Sequence, residues 1–250
     1  MPELPEVETI TKQINRMLPL KIKNVKWSKF KKNLLKKEEI NLSKSTIVKS
    51  YRQGKAVVME LDNGFLICRL GMSGGWKFTG EYKHTHLQIT GKFVLKYVDP
   101  RRFGKLYLVR SLDDFKVIDI CGPEFNLEYL RSVLAKGKGE LKPFLLNQRY
   151  FPGIGNYLAS EICYYTKLRP NTPVKKVKDL KLLLASIKKV IALSIKAGGL
   201  SFHGGYHDTS NKKGGLKTKV FWRKVCSCGE SITKIKQNGR SSYFCKKCQN

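Results

Sequence analysis

Residues 45–70 read STIVKSYRQGKAVVMELDNGFLICRL. Three short runs, STIVKSY, AVVMEL and FLICRL, are rich in β-branched, aromatic and other apolar residues, with glycine-bearing breaks between them. Short apolar runs bounded by turn residues are strands. The same texture extends outward. KIKNVKW at 21–27, HLQIT at 86–90, FVLKYV at 93–98 and KLYLV at 105–109 are further strand candidates. Gly64, Gly71, Gly74, Gly75, Gly91 and Gly104 punctuate the stretch. Residues 21–110 therefore predict an antiparallel β-sandwich or barrel.

On either side the period changes. Residues 4–18 place Val7, Ile10, Ile14 and Leu18 three or four apart, with acidic residues in the first turn. That is one amphipathic helix, its carboxylates favoured by the helix dipole. Residues 111–124 read as a connector. Beyond it FNLEYLRSVL, LKPFLLNQ and GNYLASEICYY are helical, the last with Leu158, Ile162 and Tyr165 on one face. The longest helix spans 177–197 with Leu180, Leu184, Ile187, Ile191 and Ile195 as its buried stripe. A Gly-, His- and Lys-rich loop at 198–216 leads into a β-like tail. The expected class is α+β: a β-rich domain at 1–113, a linker at 114–124, a helical domain at 125–216 and a small hairpin at 217–250.

The chain has 250 residues, 49 Lys plus Arg against 19 Asp plus Glu, and a formal charge of +30. Like charge at that density repels itself, and a polyanion offsets it, so nucleic acid is the leading partner. A generally Lys-rich surface accounts for part of the excess. The hydrophobic fraction of 41% supports a core and argues against wholesale disorder. No apolar run approaches the ~20 residues of a membrane helix. MPELPEVE is acidic where an export signal is basic and then apolar. An intracellular protein without a membrane partner is expected.

Seven cysteines divide into two groups. Cys68, Cys121 and Cys163 stand in apolar stretches and read as small buried hydrophobes of a reducing compartment. Cys226, Cys228, Cys245 and Cys248 crowd the tail, which suggests a metal rather than a disulfide framework. Cys245-Lys-Lys-Cys248 is a C-x-x-C knuckle, but Cys226-Ser-Cys228 is a C-x-C. Four thiolates reach one tetrahedral Zn²⁺ if that knuckle bends differently. Three thiolates completed by His203 or His207, or a hairpin without zinc, are the alternatives.

Pro2 follows the initiator methionine, whose removal would expose a secondary amine. Such an amine attacking a sugar aldehyde carbon forms a cationic iminium, an electron sink for eliminating the phosphates beyond it. An α-amino group titrates near 8, and a helix N-terminus lowers that further, so part of it is neutral at pH 7. Glu3, next to it, is placed for general acid or base work.

The string MPELPEVET resembles the start of the formamidopyrimidine-DNA glycosylase family, which is related to endonuclease VIII. RLGMSGG at 69–75, DPRRFG at 99–104, LLNQRYFPGIGNYLASEICYY at 145–165 and GRSSYFCKKCQ at 239–249 resemble further family blocks, in order along the chain. The resemblance implies an N-terminal β-sandwich domain, a helix–two-turn–helix domain and a zinc-finger hairpin. It implies that Pro2 is the Schiff-base nucleophile and that Glu3 assists base loss and sugar opening. It places Glu6 near the sugar site, although a helix-start carboxylate on the dipole reads equally well. Lys55 matches a hairpin lysine that grips phosphate beside the lesion. Met72, Arg101 and Phe103 match the triad that fills the hole left by a flipped nucleotide, a step costing a few kcal/mol of stacking. Asn156 matches a DNA-backbone contact, and its type alone suits an N-cap. Arg240 matches the finger's phosphate-clamping arginine.

Two departures stand out. The loop at 198–219 is shorter and more basic than the family pattern, so contacts to the damaged base do not carry over. Trp222, in VFWR at 220–223, stands where the family commonly has Gly. The reading that results is a monomeric bifunctional DNA glycosylase/AP lyase with one structural Zn²⁺ and no small-molecule cofactor, acting on damaged double-stranded DNA. PEL and the Met of LGMSG resemble the oxidised-purine branch. The alternatives are an oxidised-pyrimidine enzyme of the same family, a non-catalytic DNA binder on this scaffold, or a zinc-ribbon RNA-binding protein.

Overall fold

The computed structural model describes residues 2–200 and 208–250. They form two compact units: Met1–Lys116 with Ala197–Gly215, and Val117–Lys196 with Leu216–Asn250.

The first unit opens with helix α1 (Leu4–Asn15), in which Leu4, Val7, Ile10 and Ile14 are fully buried. It stops short of the expected Leu18, because Pro19 disfavours helical backbone in the residue before it. The strands are β1 (Leu20–Lys21), β2 (Asn24–Trp27), β3 (Leu35–Glu38), β4 (Thr46–Gln53), β5 (Ala56–Leu61), β6 (Gly64–Arg69), β7 (Gly75–Lys77), β8 (Thr85–Thr90), β9 (Val94–Val98) and β10 (Lys105–Val109), with a one-turn helix α2 (Lys31–Leu34) before β3. They make a six-stranded sheet in the order β1-β4-β5-β6-β10-β3 and a four-stranded sheet in the order β2-β8-β9-β7. One core joins α1 to both sheets through Val57, Met59, Leu66, Cys68, Trp76, Leu87, Leu95, Tyr97, Leu106 and Leu108. On the other face of the larger sheet Ala56, Val58 and Ile67 pack with Tyr51 and Tyr107. Because both faces are covered, AVVM is buried without a break.

Two details depart from the expected antiparallel sandwich. KIKNVKW is two strands, β1 pairing with β4 and β2 with β8, so the chain changes sheet at Ile22–Lys23. β3 pairs parallel to β10 at the sheet edge, and its sequence, LKKE, has almost no apolar alternation to betray it. Edge strands tolerate such charge.

The second unit contains α3 (Leu127–Ala135), α4 (Leu141–Leu145), α5 (Asn156–Tyr165), α6 (Leu180–Lys196) and the hairpin β11 (Ile232–Gln237)–β12 (Arg240–Cys245). Between α4 and α5, Phe151 N–H bonds Asn147 O at 2.8 Å and Ile154 N–H bonds Phe151 O at 3.1 Å. Two successive turns thus link two helices. On α6 the buried stripe is Leu183, Ile187, Val190, Ile191 and Ser194, and the expected Leu180, Leu184 and Ile195 only flank it. The run LKLLL gives no unique register, so packing chooses it.

Cys68 and Cys163 are buried as expected, and burial pushes the Cys163 thiol up to about 12. Cys121 is exposed on the connector, a correction to its reading as a core residue. Among the described residues no helix is long and apolar enough to cross a membrane.

Candidate active site and metal centre

Pro2 and Glu3 are buried at the N-terminus of α1, and Glu3 is its N-cap. A capping box closes the helix start: the Glu3 carboxylate accepts the Glu6 backbone N–H, and Glu3 N–H bonds Glu6 Oε2 at 2.7 Å. The backbone donors of Glu3 and Glu6 are thus satisfied by two carboxylates, both almost wholly buried. Glu6 therefore does serve the helix start, and it does more. Its Oε1 accepts Leu200 N–H at 2.7 Å. Gly199, at φ +88°, lies so close that a Cβ there would sit 2.2 Å from Glu6 Oε1.

Gln13, one face further along α1, was not legible as a site residue. Its Nε2 donates to Asp208 Oδ2 at 2.6 Å, and its Oε1 accepts Thr209 Oγ1–H at 2.7 Å. Lys77 Nζ donates to Asp208 O at 2.5 Å, and burial pulls this lysine's pKa below its ordinary value. Leu200 and Asp208, either side of 201–207, are both fastened to α1. His203 and His207 lie outside the described residues.

The LGMSGG and DPRRFG turns are joined by the fully buried Asp99. Its carboxylate accepts Ser73 Oγ–H at 2.5 Å and Gly104 N–H at 2.8 Å, and Ser73 Oγ accepts Arg101 N–H at 3.1 Å. Gly71, at φ +67°, admits no Cβ, which would meet Phe103 C at 2.6 Å. The result presents Met72 (49% exposed) and Phe103 (51% exposed) on adjoining turns, with the Arg101 guanidinium 4.6 Å from the Phe103 ring centre. Arg102 turns away, its guanidinium 4.3 Å from the Phe30 ring centre. The structure thus presents Met72, Arg101 and Phe103 on neighbouring exposed turns. Lys55 is half-buried in the two-residue turn between β4 and β5, after Gly54 at φ +57°.

In the second unit Asn156 is not the N-cap of α5. Gly155 is, and Asn156 is the first helical residue. Its Oδ1 instead accepts Lys142 Nζ–H at 2.6 Å. Lys142 is 1% exposed and also donates to Ser241 O at 2.9 Å and Ser242 Oγ at 2.8 Å, tying α4, α5 and β12. No sequence signal distinguished this lysine from its many neighbours. A cleft of about 330 Å³ is lined by Lys142, Asn147, Asn238, exposed Arg240 and Ser242. A cleft edged by the exposed Arg240 and several amides suits a phosphate.

The four tail cysteines converge, with all Sγ atoms within 4.8 Å of one another. Cys226 Sγ lies 3.9 Å from Cys248 Sγ, and Cys228 Sγ 3.6 Å from Cys245 Sγ. A tetrahedral site with Zn–S of about 2.3 Å needs sulfurs about 3.8 Å apart, so the donor set fits Zn²⁺. The short C-x-C spacing is accommodated by a tight turn. Gly229, at φ +86°, donates to Cys226 O at 3.0 Å, and Cys226 N–H bonds Glu230 O at 2.8 Å. Bound there, zinc supplies a cross-link between the knuckle and the β11–β12 hairpin.

The buried helix-start carboxylate pair after a proline, the helix–two-turn–helix element and the four-thiolate knuckle are the parts that the resemblance to zinc-finger DNA-repair glycosylases implies. Comparison with known proteins agrees. Residues 1–106 match the formamidopyrimidine-DNA glycosylase N-terminal domain, 118–204 the formamidopyrimidine-DNA glycosylase H2TH domain, and 227–250 the zinc finger found in FPG and IleRS. The formamidopyrimidine-DNA glycosylase of Syntrophomonas wolfei is 33% identical over 100% of both chains. The Lactococcus lactis Fpg bound to abasic-site DNA superposes with a TM-score of 0.86 at 28% identity, covering 99% of each chain. A variant of that protein bound to Fapy-dG DNA gives 0.86 at 29% identity, again covering 99% of each chain. The chain belongs to the formamidopyrimidine-DNA glycosylase family.

Proposed function

We propose that this chain is a bifunctional DNA glycosylase/AP lyase that removes oxidised purines from duplex DNA. The observation that carries the proposal is Pro2 and the buried Glu3 at the N-terminus of α1. Once Met1 is removed, the Pro2 nitrogen attacks C1′ of the damaged nucleoside. The N–C1′ bond forms, the glycosidic bond breaks, and its electron pair leaves with the base, which takes up a proton. The Pro2 nitrogen gives up its proton, the C1′–O4′ bond breaks with its electron pair leaving on O4′, which takes a proton from Glu3, and the nitrogen lone pair forms the C1′ iminium. The iminium then acidifies C2′, so loss of a C2′ proton expels the 3′ phosphate, and a second elimination expels the 5′ phosphate.

Met72, Arg101 and Phe103 fill the space of the extruded nucleotide, and Lys55, Asn156 and Arg240 bind backbone phosphate. Cys226, Cys228, Cys245 and Cys248 hold the structural zinc. Relatives bound to abasic-site and Fapy-dG DNA support this reading, as does the charge of +30. A division along the sequence at 1–113, 125–216 and 217–250, with Ala197–Gly215 grouped in the first compact unit, a monomeric state and an intracellular location belong to the same proposal.

Duplexes carrying one 8-oxoguanine, one formamidopyrimidine or one oxidised pyrimidine test it. The expected result is release of the two purine lesions with phosphate left on both sides of a one-nucleotide gap. Preference for the pyrimidine lesion would move the chain to the other branch, and binding without any cleavage would leave a scaffold that only grips DNA.

A further inference from the structure

Trp222 is 64% exposed, more than any other large hydrophobic residue among those described. It also sits at φ +57°. Left-handed backbone is uncommon outside glycine and is unfavourable for a bulky side chain. Glycine would adopt it freely. So large an apolar ring exposed on left-handed backbone is unfavourable for folding. An observed outlier of this kind points toward function.

The support beneath it is rigid. The buried Glu161 carboxylate of α5 accepts the backbone N–H groups of Lys219, Val220 and Phe221 at 2.7, 3.0 and 2.9 Å. Phe221 packs between Tyr157 and Tyr243, ring centres 6.2 and 5.3 Å away, and the Trp222 ring lies 13° from parallel to it. Tyr157 directly follows Asn156. Phe221, against which the indole lies, thus packs on the residue that follows Asn156, whose side chain meets Lys142. Exposed Arg223 and Lys224 follow it in the chain.

We propose that Trp222 is a DNA-binding residue, stacking on a base or deoxyribose face of the strand whose phosphates bind at the start of α5. An exposed aromatic ring interleaved with cations is the pattern that binds nucleic acid through π-faces and phosphates together. This rests on the DNA-repair reading above.

The test compares wild type with Trp222→Gly, Trp222→Asn and Trp222→Phe on a duplex containing a tetrahydrofuran abasic analogue. Glycine and asparagine both tolerate left-handed backbone, so both variants should fold and melt no lower than wild type. The expected result is a Kd raised about tenfold in both, with the salt slope of log Kd unchanged because no phosphate contact is lost. Phe should recover most of the affinity. Tryptophan emission should be quenched by the duplex more strongly in wild type than in Trp222→Phe, which keeps only the buried Trp76 and the half-buried Trp27. Wild-type affinity in the Gly and Asn variants overturns this inference alone. Failure of the wild type itself to bind the duplex overturns the DNA-repair reading as well. An emission change produced by phosphatidylglycerol vesicles and not by the duplex would assign the ring to a lipid surface and overturn it too.

Discussion

Glu3 and Glu6 hold each other at the start of α1, each carboxylate taking the other's backbone N–H, with Glu3 N–H 2.7 Å from Glu6 Oε2. The proposed acid of the reaction is therefore also a structural cap. These two duties are separable by substitution. Glu3→Gln keeps an acceptor for the Glu6 N–H but cannot donate or take the catalytic proton. It should fold with a Tm near wild type, lose base excision by about a hundredfold or more, and retain much of its cutting of a preformed abasic site. Glu3→Ala should lose about 1 kcal/mol of stability in addition. Denaturant titration and single-turnover excision measure the two effects. Equal loss of both reactions in Glu3→Gln would contradict the assigned role.

Asp99 is the hub of the second set of turns. Asp99→Ala leaves Ser73 Oγ–H and Gly104 N–H without their buried acceptor. The expected loss is about 2–4 kcal/mol, from one or two uncompensated buried donors. Asp99→Asn, which keeps one acceptor oxygen, should cost less. Urea unfolding measures both. Unchanged stability in Asp99→Ala would mean that the turns are held by something other than this carboxylate.

Lys142 and Arg240 line one cleft but differ in burial, and their variants should differ in kind. Lys142→Met removes a buried donor to Asn156, Ser241 and Ser242 and should lower stability by about 1–3 kcal/mol. Arg240→Ala should leave stability within about 0.5 kcal/mol. It should weaken DNA binding and reduce the salt slope by about one. A salt slope unaltered by Arg240→Ala would remove that residue from the phosphate contacts.

The metal centre predicts one zinc per chain by elemental analysis. Cys226→Ser should bind it far more weakly and melt at a lower temperature, although the matched zinc-finger segment begins only at residue 227. Full zinc retention in Cys226→Ser would show that three thiolates suffice.

Much of the architecture was legible because its signals are local. The 3.6-residue period of Val7, Ile10 and Ile14 announced α1, and the glycine-separated runs announced the central strands. What escaped depends on tertiary choice. β3 has a charged sequence that only its edge position explains. Asn156 has the composition of a cap, yet Gly155 takes that place and a lysine 14 residues upstream claims its side chain. Gln13 and Lys77 act on residues 131 to 196 positions away, a pairing no spacing rule reaches. Cys226 looked one residue out of register, and only the turn closed by Gly229 shows how it joins the other thiols.

The most direct test of the account is borohydride reduction during turnover of abasic-site DNA, followed by mass mapping of the cross-linked peptide. The account predicts one DNA adduct, on the nitrogen of an N-terminal Pro2 freed of Met1. An adduct confined to a lysine, or no adduct from a protein that still cuts the strand, would contradict it.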